Sequence, residues 1–341
     1  MLAVFRADAD TATGGGHVAR CASLALELRR RGWCSALAAR GGGAAVRFAT
    51  AAFDEICDID ADGDEAADMR ERWPSGCAIA VVDHYRRDTR LEAALRPWAQ
   101  RILAIDDLVD RRHDCDFLLD TSLSRAADDY ADLVPHHARL MIGPEFALLR
   151  PDFPAARAAR LPREGAPARF RVLIMFGATD PGGESLRVAA ALAASDLPIE
   201  MDLVIGPAAP SLRELERLAV RSPVPIDLSV GATDIARRMA EADLAIGGAG
   251  TSSWERCCLG LPSIVIILAE NQRHVARGLA GHGAARLLGA APLVGGEQIV
   301  AALDDLIRHA DRLQAMSRSA AALCDGLGAV RVADLITRQD A

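Results

Sequence analysis

The stretch from Asp243 to Gln272 compresses a strand, a glycine turn, a helix and a second strand into one short segment, which leaves few folds open to the chain. Leu244 to Ile246 is a short apolar run, and Gly247 to Gly250 allow positive φ and close backbone approach. Thr251 or Ser252 is a natural N-cap for a helix running to Leu259. Pro262 closes the next turn, and Ser263 to Leu268 is an apolar, β-branched run suited to a buried parallel strand. The turn points the backbone N–H groups of Gly248, Ala249, Gly250, Thr251 and Ser252, with the positive end of a helix, at the place where a phosphate would sit. Glu255, one turn into that helix, repels a phosphate but is placed to accept hydrogen bonds from vicinal hydroxyls such as those of a ribose. Glu270, Asn271 and Gln272 follow the second strand, at the carboxyl end where ligands of open α/β sheets bind.

Strand and helix signals alternate along the whole chain, the signature of parallel α/β layers. Strands are expected at Leu2 to Phe5, Cys34 to Ala39, Glu55 to Ile59, Ala78 to Val82, Arg101 to Ile105 and Phe117 to Leu119. A second series runs through Arg171 to Phe176, Met201 to Ile205, Ile226 to Leu228, Leu244 to Ile246 and Ser263 to Leu268. The first helix, from about His17 to Arg31, puts Cys21, Leu24, Ala25 and Leu28 on one apolar face, and its Arg29 to Arg31 reads as a solvated end that suits the helix dipole. Between the two series, Leu149 to Arg169 carries four prolines and no helical or strand periodicity. The expected class is α/β: a Rossmann-like domain over residues 1–150, a linker over 151–170, and a second Rossmann-like domain over 171–341 whose final helices pack back on the first.

With 341 residues, the chain is more than one ordinary core. A formal net charge of -8 argues against a nucleic-acid or anionic-membrane surface, so an anionic ligand must be held locally by glycine loops and helix ends. No apolar run approaches a membrane span, and Met1 to Arg6 is too short an apolar run for a signal peptide. The eight cysteines show no Cys-x-x-Cys spacing, a pattern of reduced cytosolic thiols with neither a disulfide framework nor a zinc site. A cytoplasmic protein is expected.

Several other stretches end strands in polar residues. Gly14, Gly15 and Gly16, followed by His17 at a helix start, either simply turn the chain or set backbone amides and an imidazole beside a phosphate or sugar. Gly14, Gly16 and Ala19 also fit a dinucleotide fingerprint, yet Arg6 to Thr13 intervene after the strand, and Ala39-Arg40 replace the expected acid, with Arg40 leaving only an NADP variant. Asp8-x-Asp10 has metal-clamp spacing, but Asp58, Asp60, Asp62 and Asp64 repeat it in an acidic loop, which empties the motif of information. Asp83-His84-Tyr85 ends a strand either as a capped turn or as part of a site, and Asp106-Asp107 has the same geometry with a helix cap as its plainer reading. Trp254, Cys257 and Cys258 read as packing residues.

Taken together, these motifs resemble the UDP-sugar hydrolases of pseudaminic acid biosynthesis, which release UDP from UDP-2,4-diacetamido-2,4,6-trideoxy-β-L-altropyranose, and the related spore-coat polysaccharide proteins. The resemblance runs through Arg6-x-Asp8, Gly14-x-Gly16-His17, Arg20-Cys21, Asp83-x-Tyr85 with Asp88, and Leu148-Leu149-Arg150-Pro151. It continues in Phe176-Gly177-x-Thr179-Asp180, Gly250-Thr251-Ser252-x-Trp254-Glu255-Arg256-Cys257 and Asn271-Gln272. The resemblance implies the GT-B fold, two Rossmann-like domains facing a cleft, and hydrolysis with inversion at the anomeric carbon, without metal or cofactor. It implies a UDP-sugar substrate and UDP as product. On this likeness His17, Tyr85 and Asn271 are the catalytic and sugar-site residues, Glu255 binds ribose, and the backbone near Val230 holds uracil. The glycines, Thr251, Ser252 and Gln272 complete the UDP site, and Arg6, Asp8 and Asp83 are candidates for the sugar. Ala178 stands where a glycine is usual and His84 where a small residue is common, a difference that bears on sugar preference.

The chemistry agrees with that assignment. UDP leaves readily if amides already in place meet its new charge, and water attacking C1 needs a base such as a histidine that titrates near neutral pH. No acidic pair at fixed spacing supports a glycosidase of the two-carboxylate kind. Two other functions fit the same nucleotide site: a GT-B glycosyltransferase, which would want an apolar or basic acceptor patch, and a non-catalytic sugar-nucleotide binder, which would not need a base.

Overall fold

The computed structural model describes residues 1–9, 15–40, 51–60, 63–123, 125–159 and 169–338. Gly14, Asp10, Asp62 and residues 160–168 of the proline-rich stretch lie outside them. The chain divides into two compact units, Met1–Arg150 with Gly326–Ala341, and Pro151–Asp325. No helix among the described residues is long and apolar enough to cross a membrane.

The first unit runs β1 (Leu2–Ala7), α1 (Gly16–Arg30), β2 (Cys34–Ala39), β3 (Glu55–Asp58), α2 (Glu65–Arg72), β4 (Ile79–Asp83), α3 (Thr89–Leu95), β5 (Ile102–Ile105), β6 (Phe117–Asp120) and β7 (Arg139–Ile142). The strands form one parallel sheet in the order β3-β2-β1-β4-β5-β6-β7. Period-two alternation sends Ala3, Phe5 and Ala7 of β1 into the core shared with α1, while Val4 enters the core on the opposite face with Met69 and Leu95. Strand order reverses between β1 and β4, so the loops leaving their carboxyl ends part and leave a crevice there.

A last helix, Gly328–Thr337, closes the first core through Val332, Ala333 and Ile336. Arg31, read from sequence as part of a solvated helix end, instead pairs with Asp334 of this helix at 2.7 Å and donates to the Val330 carbonyl at 3.2 Å. The seating is close, because a Cβ on Gly328 would lie 2.3 Å from the Ala147 carbonyl oxygen.

In the second unit come α4 (Asp152–Ala159), β8 (Phe170–Met175), α5 (Glu184–Ala193), β9 (Ile199–Ile205), α6 (Leu212–Arg221), β10 (Ile226–Val230), α7 (Ile235–Glu241) and β11 (Leu244–Gly247). They are followed by α8 (Ser252–Cys258), β12 (Ser263–Ile267), α9 (Arg273–Gly281), β13 (Ala285–Ala290), α10 (Gly296–Arg308) and α11 (Ala310–Leu323); Gly328–Thr337 of the first unit is then α12. Its parallel sheet has the order β10-β9-β8-β11-β12-β13, with the reversal between β8 and β11. Asp152–Ala159, aperiodic to the eye, is helical: Pro154 stands in the first turn, where no N–H is needed. From that helix Arg157 donates to the carbonyls of Cys258, Ala321 and Cys324, which end α8 and α11. Strand β13 carries little β-branching and bends at Gly289 (φ 136), and β7 is four residues long, which is why neither was expected.

Arg6 and Asp8, expected from the likeness as candidates for the sugar, are engaged with partners inside the protein. Arg6, at the end of β1, has no exposed surface and spends its guanidinium on Asp8 (2.5 and 2.9 Å) and Glu65 (2.9 and 3.2 Å). Asp8 further accepts from His84 Nε2 (3.1 Å) and the Arg40 amide (2.8 Å), so its acceptor sites are filled from within the protein. Arg40, the residue left over from the NADP reading, and Arg87 both pair with Glu65. Burial alone would raise the Asp8 carboxyl, but hydrogen bonds from His84 and Arg6 hold it well below the usual range. Glu65 is likewise pushed up by burial and pulled down further by Arg87 and Arg6, from 4.5 to about 2. This network braces the carboxyl ends of β1 and β4 from below.

Two outcomes follow from this packing. Gly328→Ala should destabilise the chain by about 1–3 kcal/mol in urea unfolding, because the overpacked helix must shift off the Ala147 carbonyl; unchanged stability would show that α12 is loosely held. For Glu65, a folded value below the unfolded one means stabilisation that is complete above about pH 4.5 and lost as pH falls toward 2, worth about 3 kcal/mol. Glu65→Gln should therefore be weaker at pH 7 and show a shallower loss of stability from pH 4.5 to 2 than the parent; equal slopes would remove Glu65 from the network.

Candidate active site

Asp83 is the last residue of β4 and has no exposed surface. His17, Arg20 and Cys21 lie three and four residues apart on one face of α1, the spacing that stacks side chains over a helical turn, and that face meets the Asp83 carboxylate. His17 Nδ1 sits 2.6 Å from Oδ1; Arg20 donates Nε to Oδ2 and Nη2 to Oδ1, both at 2.6 Å; the Cys21 thiol reaches Oδ2 at 3.6 Å. Arg20 is anchored in turn by Asp107, at 2.8 and 3.1 Å. Burial would raise the Asp83 carboxyl, but the charges of Arg20 and His17 hold it well below the usual range, so it stays ionised. An ionised partner takes the Nδ1 proton, and Arg20 Nη2, 3.3 Å from Nδ1, is a neighbour to that bond and no donor to it. In the neutral ring that tautomer leaves the lone pair on Nε2, and among the described residues nothing bonds Nε2. The Tyr85 ring stands edge-on to it, centroids 4.4 Å apart and planes at 79°.

Asp83, expected as a candidate for the sugar, has both oxygens occupied by His17, Arg20 and Cys21, and it orients the imidazole. His84 is buried, with Nδ1 accepting from the Arg86 amide (2.9 Å) and Nε2 serving Asp8. Sequence reasoning quoted Arg20 only as part of a motif and read Asp107 as a strand-end residue with a helix cap as its plainer role. The spacing of 17, 20 and 21 was the available signal for Arg20, whereas Asp107 is brought to it only by the adjacent strand ends. Asp106 caps the following turn through the Val109 amide (2.8 Å) and receives the buried Tyr130 hydroxyl (3.0 Å), close to the plainer reading. Gly15 and Gly16 open α1, with the Gly15 carbonyl accepting from Ala19.

In the second unit the glycines of the turn serve close approach rather than positive φ, which Gly247, Gly248 and Gly250 do not adopt. A Cβ on Gly247 would lie 2.4 Å from the Met175 carbonyl oxygen, and one on Gly248 would lie 3.1 Å from Leu268 and 3.2 Å from Gln272. Thr251 occupies the N-cap of α8 but its side chain makes no capping bond. The Ser253 and Trp254 amides donate to Gly250 and Thr251, and the Ala249 amide to Gln272 Oε1 at 3.1 Å. The amides of Gly250 and Thr251 have no acceptor among the described residues. Gln272 Oε1 also takes the Leu268 amide (3.2 Å), so it ties β11 to β12 and turns its NH2 toward Gly250. Asn271 is exposed on the short turn Glu270–Gln272, Glu255 is half-buried in the first turn of α8, and Ser252 is the first residue of that helix. Val230 is 45% exposed at the end of β10, with β9 and β8 between it and β11. Asp180, at φ 36, spends both oxygens on the Glu184 and Ser185 amides and so caps α5. Trp254, Cys257 and Cys258 are buried, as packing residues should be.

Known proteins share this architecture. Residues 221–334 match the Glycosyltransferase family 28 C-terminal domain. The chain is 28% identical over 207 residues to the spore coat polysaccharide biosynthesis protein SpsG of Bacillus subtilis, covering 60% of this chain and 59% of SpsG, so the match spans less than two thirds of that relative. It is 26% identical over 206 residues to the UDP-2,4-diacetamido-2,4,6-trideoxy-beta-L-altropyranose hydrolase of Campylobacter jejuni, covering 60% and 72%. Among solved structures, MurG of Acinetobacter baumannii superposes with a TM-score of 0.71 at 18% identity over 99% of this chain and 100% of MurG, which speaks for the fold alone. With two parallel-sheet units and this structural likeness the chain has a GT-B-like fold, and the names of both relatives fit the resemblance carried by the motifs.

Proposed function

We propose that the chain hydrolyses a UDP-linked 2,4-diacetamido-2,4,6-trideoxy sugar, releasing UDP with inversion at C1, in the biosynthesis of a nonulosonate such as pseudaminic acid. The observation that carries this reading is the His17 imidazole held through Nδ1 by an ionised, buried Asp83. A nucleotide binder has no use for such a base, whereas hydrolysis needs one. In the proposed step a water gives its proton to His17 Nε2 as its oxygen bonds to C1. The C1–oxygen bond to the β-phosphate breaks on the opposite face, and the electron pair leaves with UDP. Within the first unit the proposed base is His17, with Tyr85 beside it; the nucleotide reading rests on the second unit. There the Gly250 and Thr251 amides meet the charge that appears on the diphosphate, so the step asks for no metal. Glu255 accepts the ribose hydroxyls, Asn271 and the Gln272 amide serve the sugar and phosphate, and the backbone at Val230 holds uracil. The hydrolase of Campylobacter jejuni, by its name, supports the substrate class.

A glycosyltransferase is the second reading, favoured by the family 28 match and the likeness to MurG. It uses the same base on an acceptor hydroxyl in place of water. UDP release from UDP-amino sugars in water, with EDTA present and no acceptor, separates the two. Turnover supports the hydrolase, and turnover that appears only on adding an acceptor supports the transferase.

His17→Ala should lose about 10²–10⁴ in turnover while UDP affinity changes little, because the base acts on water. Near-parental hydrolysis would sink the base assignment, and a parallel loss of UDP binding would move His17 to the nucleotide site. Glu255→Ala should weaken UDP binding by about 1.5–3 kcal/mol, the loss of a charged acceptor. Unchanged affinity in calorimetry, with the fold intact by circular dichroism, would take Glu255 out of the site.

A further inference from the structure

Among the described residues three arginines are almost wholly buried, and they are not alike. Arg6 lies against Asp8 and Glu65, and Arg20 against Asp83 and Asp107, so each buried cation has two carboxylates. Arg256, the fifth residue of α8, is 2% exposed, and among the described residues no carboxylate stands within ion-pair distance of it. Its Nη2 donates to the Gly248 carbonyl at 2.7 Å and to Ser253 Oγ at 3.1 Å. Nε has no hydrogen-bond partner, and Nη1 lies 2.9 Å from where a Cβ on Gly247 would be. Burial pulls the guanidinium below its usual value, with Cys257 and Glu255 offsetting only part. The side chain therefore runs directly beneath the glycine turn. It grips one end of the Gly248–Ala249 peptide while Gln272 Oε1 grips the other through the Ala249 amide.

We propose that Arg256 is the positioning residue of the glycine turn and the internal cation that makes it a diphosphate site, its charge being balanced by the ligand rather than by the protein. The inference rests on the UDP reading above and adds a residue to it. A buried cation without a counter-ion is costly, and a network missing one charge is completed by a group that brings it. A pyrophosphate above the turn would lie over both the clamped peptide and the cation beneath it. Low polarisability around a buried charge makes its field at the ligand stronger than that of a solvated arginine. Arg256 touches no reacting atom in this scheme; it acts through the turn and through its field.

The test compares calorimetric affinities of UDP, UMP and uridine for the parent chain, Arg256→Met and Arg256→Lys, with thermal unfolding of each without ligand. Arg256→Met should bind UDP about ten- to a hundredfold more weakly and UMP less so, with uridine within about twofold of the parent. Arg256→Lys should recover part of the loss for UDP. Without ligand, Arg256→Met should melt no lower than the parent, since it no longer buries an unpaired charge. An equal loss for UDP and uridine, unchanged UDP affinity, or an Arg256→Met protein that fails to fold each overturns the proposal, because the side chain would then be scaffold alone. A parent chain that binds neither UDP nor UMP defeats the nucleotide reading itself, and this inference with it.

Discussion

Parallel strands deliver every carboxyl end to one edge of a sheet, and where strand order reverses the connections leave in opposite directions. Both sheets of this chain obey that constraint, at β1/β4 in one and β8/β11 in the other. What decorates the two edges differs. The first unit places His17 and Asp83 there, drawn from the two strand ends that flank the reversal. The second places a turn whose glycines are needed because the Met175 carbonyl of β8 comes too close for any Cβ on Gly247. Topology thus makes the crevices, and local chemistry decides what each can do.

Charge burial is the second organising principle. Removing ions from water is expensive, and it is sustained where geometry lets several partners share each group. Asp83 is held by His17 and Arg20, while Asp8 and Glu65 are held by Arg6 with Arg40, Arg87 and His84 around them. These carboxylates stay ionised far below their ordinary range, so the frame around His17 keeps one protonation state across physiological pH. The orientation of the imidazole depends on that constancy, because a carboxylate that took up a proton would release it. Among the described residues Arg256 is the buried arginine without a carboxylate partner, and it lies under the glycine turn.

Much of this was legible in the residues. Apolar runs alternating with amphipathic ones specify parallel α/β layers, since each run reports its own environment within a few residues. The glycine turn at Gly247–Gly250 and the histidine after Gly14–Gly16 were equally local signals. The helix Asp152–Ala159 escaped because prolines in a first turn resemble a linker. Its stability comes from Arg157 bonding carbonyls at the ends of α8 and α11, far along the chain.

The sequence by itself determined the fold class, the first-turn positions of His17 and Glu255, the strand-end positions of Asp83 and Asn271, and the family likeness, because all of these are written in contiguous patterns. Only the tertiary structure decided which polar groups are spent. Arg6, Asp8 and Asp83 have the right chemistry for a sugar, but Glu65 reaches Arg6 from 59 residues away and Asp83 reaches His17 from 66. Whether a donor or acceptor remains for a ligand depends on what stands within about 3 Å of it, and no periodicity along a chain carries that distance.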